Sequence, residues 1–180
     1  GVLSLGAIAL LASPWALAGG DSAFKRRLED PILNDSIEAG VLDYLVNDRG
    51  GGDVRRVQFS RVSWDSTLNG KTLYDLMTRL NLEPTLENAV PVVIDVVLRG
   101  GASTIFHVID EGDVKRIMAH PQTMIASDGR LNRLGDAVPH PRAYGTFPRV
   151  LGRYVREEHV LTLEQAVKKM TSMPAPRRSR

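Results

Sequence analysis

Hydrophobic residues recur at helical spacing over most of the first hundred positions of the chain. A spacing of three or four residues places side chains on one face of a helix. Residues that can cap a helix precede several of these stretches, and Pro or Gly follows them. The pattern predicts four helices: one after Asp21-Ser22 that stops at Pro31, one over 32–46, one from Thr72 to Leu80 and one from Thr85 to Leu98.

Two stretches rich in β-branched and aromatic residues predict strands, at about 54–63 and at 103–109. Asp110 is predicted to cap the helix that follows the second stretch. A further short apolar run lies at 123–126. A strand, a helix and a strand in this order predict a βαβ unit with parallel strands.

A long loop is predicted after residue 129, because the stretch up to about 146 is interrupted by Gly and Pro. Long loops within compact domains are usually functional. Two helices are predicted to finish the chain, at about 148–158 and 163–173. Thr162 and Gln165 have the spacing of a capping box for the second of them.

Composition narrows the classes of protein. With 180 residues, 43% hydrophobic and 24% charged, the chain is typical of a folded domain but too short for a complete (β/α)8 barrel of about 250 residues. The net charge of +2 does not favour nucleic acid as a partner. Because there is no Cys, disulfides and thiolate metal sites are excluded within this stretch.

The apolar run at 2–18 resembles the core of a signal peptide, but no basic residue precedes it, and Pro14 and several glycines interrupt it. A transmembrane span requires about 20 continuous apolar residues. We therefore expect a cytoplasmic protein without a membrane partner, and keep a secreted binding module with a cleaved leader as an alternative.

Two residues near the long loop are the strongest candidates for chemistry. Asp128 follows the predicted strand at 123–126, and sites in parallel α/β proteins gather at the carboxyl ends of strands. A carboxylate there can bind a cation or act as a general base, although Asp128-Gly129 is also an ordinary turn pair. Arg142 offers a planar donor fork for a substrate carboxylate, although exposed loop arginines are commoner.

Histidines are weaker candidates. His140 is best interpreted as a hydrogen-bonded anchor of the loop, since no spaced ligands accompany it. His107 lies in a predicted strand among apolar residues and is expected to be a core histidine. Neither a His-x-His pair nor an HExxH motif is present in the sequence.

Three motifs resemble one known family. They are VKRIMAHPQTMIASDG at 114–129, HPRAYGTFPRVLGRYVR at 140–156 and LTLEQAVKKMTSMPA at 161–175. Together, and in this order, they are similar to N-acyl-D-amino-acid deacylases (D-aminoacylases) of the amidohydrolase superfamily. Shorter similarities at Pro14-Trp15-Ala16 and Asn69-Gly70-Lys71 extend the resemblance over most of the chain.

The resemblance implies an α/β fold: the carboxyl-terminal portion of a metal-dependent amidohydrolase (β/α)8 TIM barrel, incomplete in this chain. It implies zinc-dependent hydrolysis of N-acyl-D-amino acids to a carboxylate and a free D-amino acid. Asp128 matches the aspartate that takes a proton from the zinc-activated water and passes it to the departing amine, and it is also a candidate metal ligand. Arg142 matches the arginine that binds the substrate carboxylate. A related amidohydrolase acting on another cyclic or linear amide is the alternative within the superfamily.

The chain also departs from the family pattern. The family's His-x-His pair, Cys and two further His have no match here, so we expect the chain alone to retain zinc poorly and to be inactive. Ser4 could align with a carboxylate-binding serine, but its surroundings differ and the role is not transferred. Residues 131–134 resemble an insertion in the loop.

One partial barrel domain is therefore expected over 1–180. It consists of a helical region at 1–53, strands and helices at 54–128 that end at the last barrel strand, an active-site loop at 129–147 and terminal helices at 148–175. A basic tail at 177–180 for nucleic acid or anionic surfaces is a further alternative, but it explains only one terminus.

Overall fold

The computed structural model describes residues 7–133, 135 and 137–175. The chain forms two compact units, one within Gly1–Val108 and Leu134–Val138, the other within Ile109–Arg133 and Pro139–Arg180. Ser4 and the tail at 177–180 lie outside the described residues, as do the start of the apolar run at 2–18 and the last residue of the 131–134 stretch.

The first unit is mostly helical, and the structure confirms the four helices predicted there. Its helices are α1 (Pro14–Leu17), α2 (Asp21–Glu29), α3 (Pro31–Asn47), α4 (Leu73–Arg79) and α5 (Leu86–Leu98), with 3-10 turns at Ala7–Leu11, Val54–Arg56 and Ser66–Leu68. Thr72 forms a capping box with Asp75, and Thr85 accepts a hydrogen bond from the Asn88 N–H, as predicted. The cap of α2 differs from the prediction, since Gly20 occupies that position.

The core of the first unit lies where α5 packs against α3 and α4. Many of the apolar positions that predicted the helices point into it, whereas Ile32 and Leu80 are exposed. The most deeply buried large side chains are Phe59, Ile8, Leu11, Ile37, Leu45, Leu73 and Met77. Burial of these side chains, rather than helix propensity, supplies most of the stabilisation of such helices.

The sheet has two strands, β1 (Val57–Arg61) and β2 (Ser103–Phe106). They pair antiparallel with Val57 opposite Phe106, and the register shifts between Phe59 and Arg61. Both strands fall within the stretches that the sequence predicted. His107 lies just beyond β2 and is exposed, with Nε2 3.0 Å from Gln58 Oε1, so the expectation of a core histidine is wrong.

The predicted parallel βαβ unit is also wrong for the described residues. The run at 123–126 is not a strand, and β2 pairs with β1 instead. A strand requires a neighbouring ladder, and the described part of the second unit contains no strand. The Ile125 N–H donates instead to the carbonyl of Lys169, at 3.1 Å.

The second unit contains α6 (Glu111–Ala119), α7 (Arg142–Arg149), a π-helix (Val150–Glu157) and α8 (Leu163–Met170). Asp110 caps α6, and Thr162 and Gln165 form the predicted capping box of α8. Its small core is formed by Val150, Tyr154, Leu161 and Ala166.

The helix predicted at about 148–158 begins earlier, at Arg142, so the carboxyl-terminal part of the expected 129–147 loop is helical. The sequence predicted a later start because Gly and Pro interrupt the stretch up to about 146, and proline is costly in a helix interior. In the structure Pro148 lies inside α7, which continues into the π-helix. None of the described helices has the length and apolar content needed to cross a membrane.

Candidate active site

Asp128 and Arg142, the two residues that the sequence singled out, form an ion pair in the second unit. Arg142 Nε lies 3.1 Å from Asp128 Oδ1. The Asp128 side chain is 76% exposed and that of Arg142 46% exposed. Both groups are therefore open to a ligand, and an exposed pair of this kind adds little to stability.

Arg142 is the first residue of α7, and His140 helps to fix this helix start. The Arg142 N–H donates to His140 Nδ1 at 3.2 Å. The first N–H groups of a helix lack partners within the helix, so an imidazole acceptor is useful at this position. His140 thus makes the kind of contact expected of a loop anchor.

Ser127 fixes the residue before Asp128. Its Oγ lies 3.1 Å from Thr146 Oγ1 and accepts a hydrogen bond from the Gly129 N–H at 3.0 Å. The Thr146 hydroxyl donates to the Arg142 carbonyl at 3.3 Å. These contacts join the turn that carries Asp128 to the helix that carries Arg142.

Gly129 allows the two segments to approach closely. A Cβ atom at this position would lie 2.5 Å from the Arg142 carbonyl oxygen and 3.0 Å from Ser127 Oγ. Any side chain at 129 would therefore push the turn and α7 apart. Asp128 thus presents an exposed carboxylate, and the next position has no room for a side chain.

A groove of about 670 Å³ within the second unit is lined in part by Arg142. Apolar side chains form most of its lining, including Ile109, Ile117, Met118 and Met124. Ile109 is 78% exposed and Ile117 59% exposed. Arg142 and Arg149 also line the groove, and each pairs with a carboxylate, Arg142 with Asp128 and Arg149 with Glu111.

A network of charged side chains supports the π-helix that follows α7. The buried Tyr154 hydroxyl donates to Glu111 Oε1 at 2.7 Å. Glu158 accepts from Arg153 Nε and lies 2.8 Å from Lys115 Nζ. Hydrogen bonds from Lys115 and Arg153 lower the pKa of Glu158, and the hydrogen bond to Glu158 raises the pKa of Arg153.

The described residues do not by themselves fit a zinc site. No three of their His, Cys, Asp or Glu side chains lie close enough together to hold a metal ion. Zinc sites take three or four protein ligands, and Asp128 can offer one carboxylate.

Comparison with known proteins agrees with the motifs. The chain is 55% identical over 74 residues to an N-acyl-D-glutamate deacylase and 51% identical over 76 residues to a D-aminoacylase, both of Alcaligenes xylosoxydans xylosoxydans. The chain is similar to N-acyl-D-amino-acid deacylases. The resemblance read from the sequence is thereby confirmed, although no family model matches the chain.

A solved structure supports the same relationship. The chain matches the N-acyl-D-glutamate deacylase of Bordetella bronchiseptica, solved with zinc and a phosphonate mimic of the tetrahedral intermediate, with 36% identity and a TM-score of 0.54. The match covers 68% of this chain and 24% of that one. The two Alcaligenes matches cover 41% and 42% of this chain and 14% and 15% of the relatives. The chain therefore spans a minor part of the deacylases it resembles.

Sequence reasoning missed Ser127, Thr146 and the close approach at Gly129. Thr146 follows Arg142 by four residues, so helical spacing would have placed both on one face. The late helix start predicted near Pro148 hid that relation. No local signal in the sequence marks the contact between Gly129 and the Arg142 carbonyl.

Proposed function

We propose that the chain carries the carboxyl-terminal portion of the barrel of an N-acyl-D-amino-acid deacylase. The complete enzyme would hydrolyse the amide bond of an N-acyl-D-amino acid, giving a carboxylate and a free D-amino acid. Support comes from the three ordered motifs and from relatives named N-acyl-D-glutamate deacylase and D-aminoacylase. Small N-acyl-D-amino acids are thus the proposed substrates.

The observation that carries the proposal is the pairing of Asp128 with Arg142 at 3.1 Å across fourteen positions of sequence. Asp128 is the proposed general base and acid: its carboxylate accepts a proton from the attacking water and donates it to the departing amine nitrogen. Such proton transfer typically contributes a factor of about 10² to 10⁴ to the rate. The high exposure of the carboxylate leaves it accessible to the reacting groups.

Arg142 is the proposed binding group for the substrate carboxylate. A guanidinium presents five N–H donors in a plane, so a second carboxylate can bind while Nε faces Asp128. Placing the substrate carboxylate on Arg142 brings the scissile amide next to Asp128. The exposed apolar groove lies beside the same arginine.

Zinc belongs to this proposal only as a component of the complete enzyme, where it would supply an activated water. Because the described residues do not group a ligand set, the 180-residue chain alone is proposed to be inactive. Purified chain supplied with zinc should release no amine from N-acetyl-D-methionine. Hydrolysis that is lost in Asp128→Asn would refute this part of the proposal.

The function itself is tested in a chimera in which this chain replaces the matching part of the Bordetella deacylase. The chimera should hydrolyse N-acetyl-D-amino acids, and Asp128→Asn should lower kcat by about 10² or more. Asp113→Asn is the matched control, since Asp113 is an exposed carboxylate of the same unit that pairs with Arg116. An active chimera in which both variants keep the parent kcat would rule out the role of Asp128.

A further inference from the structure

Lys169 is a buried lysine that the proposed chemistry does not use. It lies in α8 and is only 4% exposed, in a core whose other members are apolar or aromatic. Its Nζ donates to the carbonyls of His120 and Thr123, at 2.5 and 3.0 Å. Its own carbonyl accepts the Ile125 N–H at 3.1 Å.

These three contacts lie along one short segment. His120 is the C-cap of α6, and residues 120–125 lead directly to Asp128. The last carbonyls of a helix lack partners within the helix and favour a nearby cation. The Lys169 ammonium therefore has a stabilising environment at the end of α6.

Burying the Lys169 ammonium costs free energy that burying an apolar side chain would not. A buried ammonium requires compensation for lost hydration. Among the ion pairs of the described residues, none joins Lys169 to a carboxylate. Two neutral carbonyls satisfy it instead, and an apolar residue of similar length could fill the same space in the core.

The segment at 120–125, which Lys169 contacts, is not held by the hydrogen bonds of a β-sheet. Residues 123–126 form no strand, so contacts near the two ends of the segment hold its path. Lys169 fixes the start, and Ser127 fixes the end through Thr146 and Gly129.

We infer that Lys169 is a positioning residue for Asp128. Its ammonium and carbonyl hold the 120–125 segment at the register in which Asp128 meets Arg142. The functional meaning of this inference rests on the proposed function, but the geometric claim does not. Without the ammonium, the segment should shift and the pair should loosen.

The test uses NMR of the 180-residue chain and follows the Arg142 Nε–H signal, assigned by its loss in Arg142→Lys. Asp128→Asn supplies the reference shift for an arginine without its carboxylate. Lys169→Met substitutes an apolar side chain of similar length that donates no hydrogen bond. We expect it to move the Arg142 signal most of the way to the reference value and to speed exchange of the Ile125 amide by at least about tenfold.

Two further variants complete the design. Lys168→Met alters the exposed neighbour in the same helix and should change neither signal. Lys169→Arg retains the charge and the donors and should restore much of the wild-type Arg142 shift. If Lys169→Met does not fold, Lys169→Gln takes its place. Because its side-chain amide still donates a hydrogen bond, its Arg142 signal should lie between the wild-type and Asp128→Asn values.

A purely structural lysine would give a different result. Folded Lys169→Met, or Lys169→Gln in its place, would then lose stability but keep the wild-type Arg142 shift, and the inference would be overturned. Because no turnover is needed, failure of the hydrolase proposal would leave the result standing. Conversely, an unchanged Arg142 signal would leave the proposed chemistry of Asp128 intact.

Discussion

Replacing Gly129 with alanine should destabilise the second unit and separate Asp128 from Arg142. The new Cβ would lie 2.5 Å from the Arg142 carbonyl oxygen, whereas carbon and oxygen atoms in contact are usually about 3.3 Å or more apart. The obstructing atom belongs to the backbone of α7, so it cannot rotate away as a flexible side chain would.

The size of the effect follows from that overlap. Relief requires a relative shift of about 0.8 Å or more between the turn and α7, given the usual contact distance. Forcing an extra carbon into a packed site typically costs about 1 to 3 kcal/mol. Gly145→Ala is the matched control, because a Cβ at that position in the same helix meets no atom within 4 Å. Alanine there should stabilise the helix by up to about 1 kcal/mol.

The assay is urea unfolding followed through the backbone amide signals of α8, which report on the second unit alone. We expect the free energy of unfolding to fall in Gly129→Ala and to rise in Gly145→Ala. The Arg142 Nε–H signal should shift only in the first variant. Equal or greater stability of Gly129→Ala than of the wild-type chain would refute the close approach between the turn and α7.

Two other predictions concern the same unit. Glu158→Gln should destabilise the chain at neutral pH. Because the hydrogen bonds from Lys115 and Arg153 lower the folded-state pKa of Glu158 below its ordinary value of 4.5, its stabilisation is present above that value and lost as pH falls through the folded pKa. The difference in urea midpoint between wild type and variant should therefore shrink from pH 6 to pH 3; a constant difference would contradict the ionic contribution. Thr162→Ala removes the acceptor for the Gln165 N–H and should cost about 1 kcal/mol in urea unfolding, whereas no loss would show that the cap is dispensable.

Local features of the sequence predicted the helices well. Thr72, Thr85 and Thr162 mark helix starts because a capping side chain acts within three residues of its own position. Apolar spacing predicted the buried residues Ile37, Val41 and Leu45 of α3 in the same way. These features depend on neighbours along the chain and need no knowledge of the rest of the fold.

Strand pairing could not be predicted in that way. The stretch at 123–126 has the composition of a strand but finds no ladder, whereas the stretch at 103–109 pairs antiparallel with β1. His107 shows the same limit, because its exposure depends on where β2 ends. Non-local contacts decide these outcomes, and composition carries little information about them.

The candidate site was predicted in part. The motifs pointed to Asp128 and Arg142, which the structure brings together, while their roles stay predictions. The contacts that hold them arise from three-dimensional packing: the hydroxyl of Thr146, the missing side chain of Gly129 and the ammonium of Lys169. The burial of Lys169 in α8 is apparent only from the structure.

The central claim is that Asp128 and Arg142 occupy one site, and the Arg142 Nε–H signal tests it most directly. In chain labelled with ¹⁵N-arginine, Asp128→Asn should shift this signal, and Asp113→Asn should leave it unchanged while altering the signal of Arg116 instead. An Arg142 signal that is identical in wild-type chain and in Asp128→Asn would contradict the pairing and the site built on it.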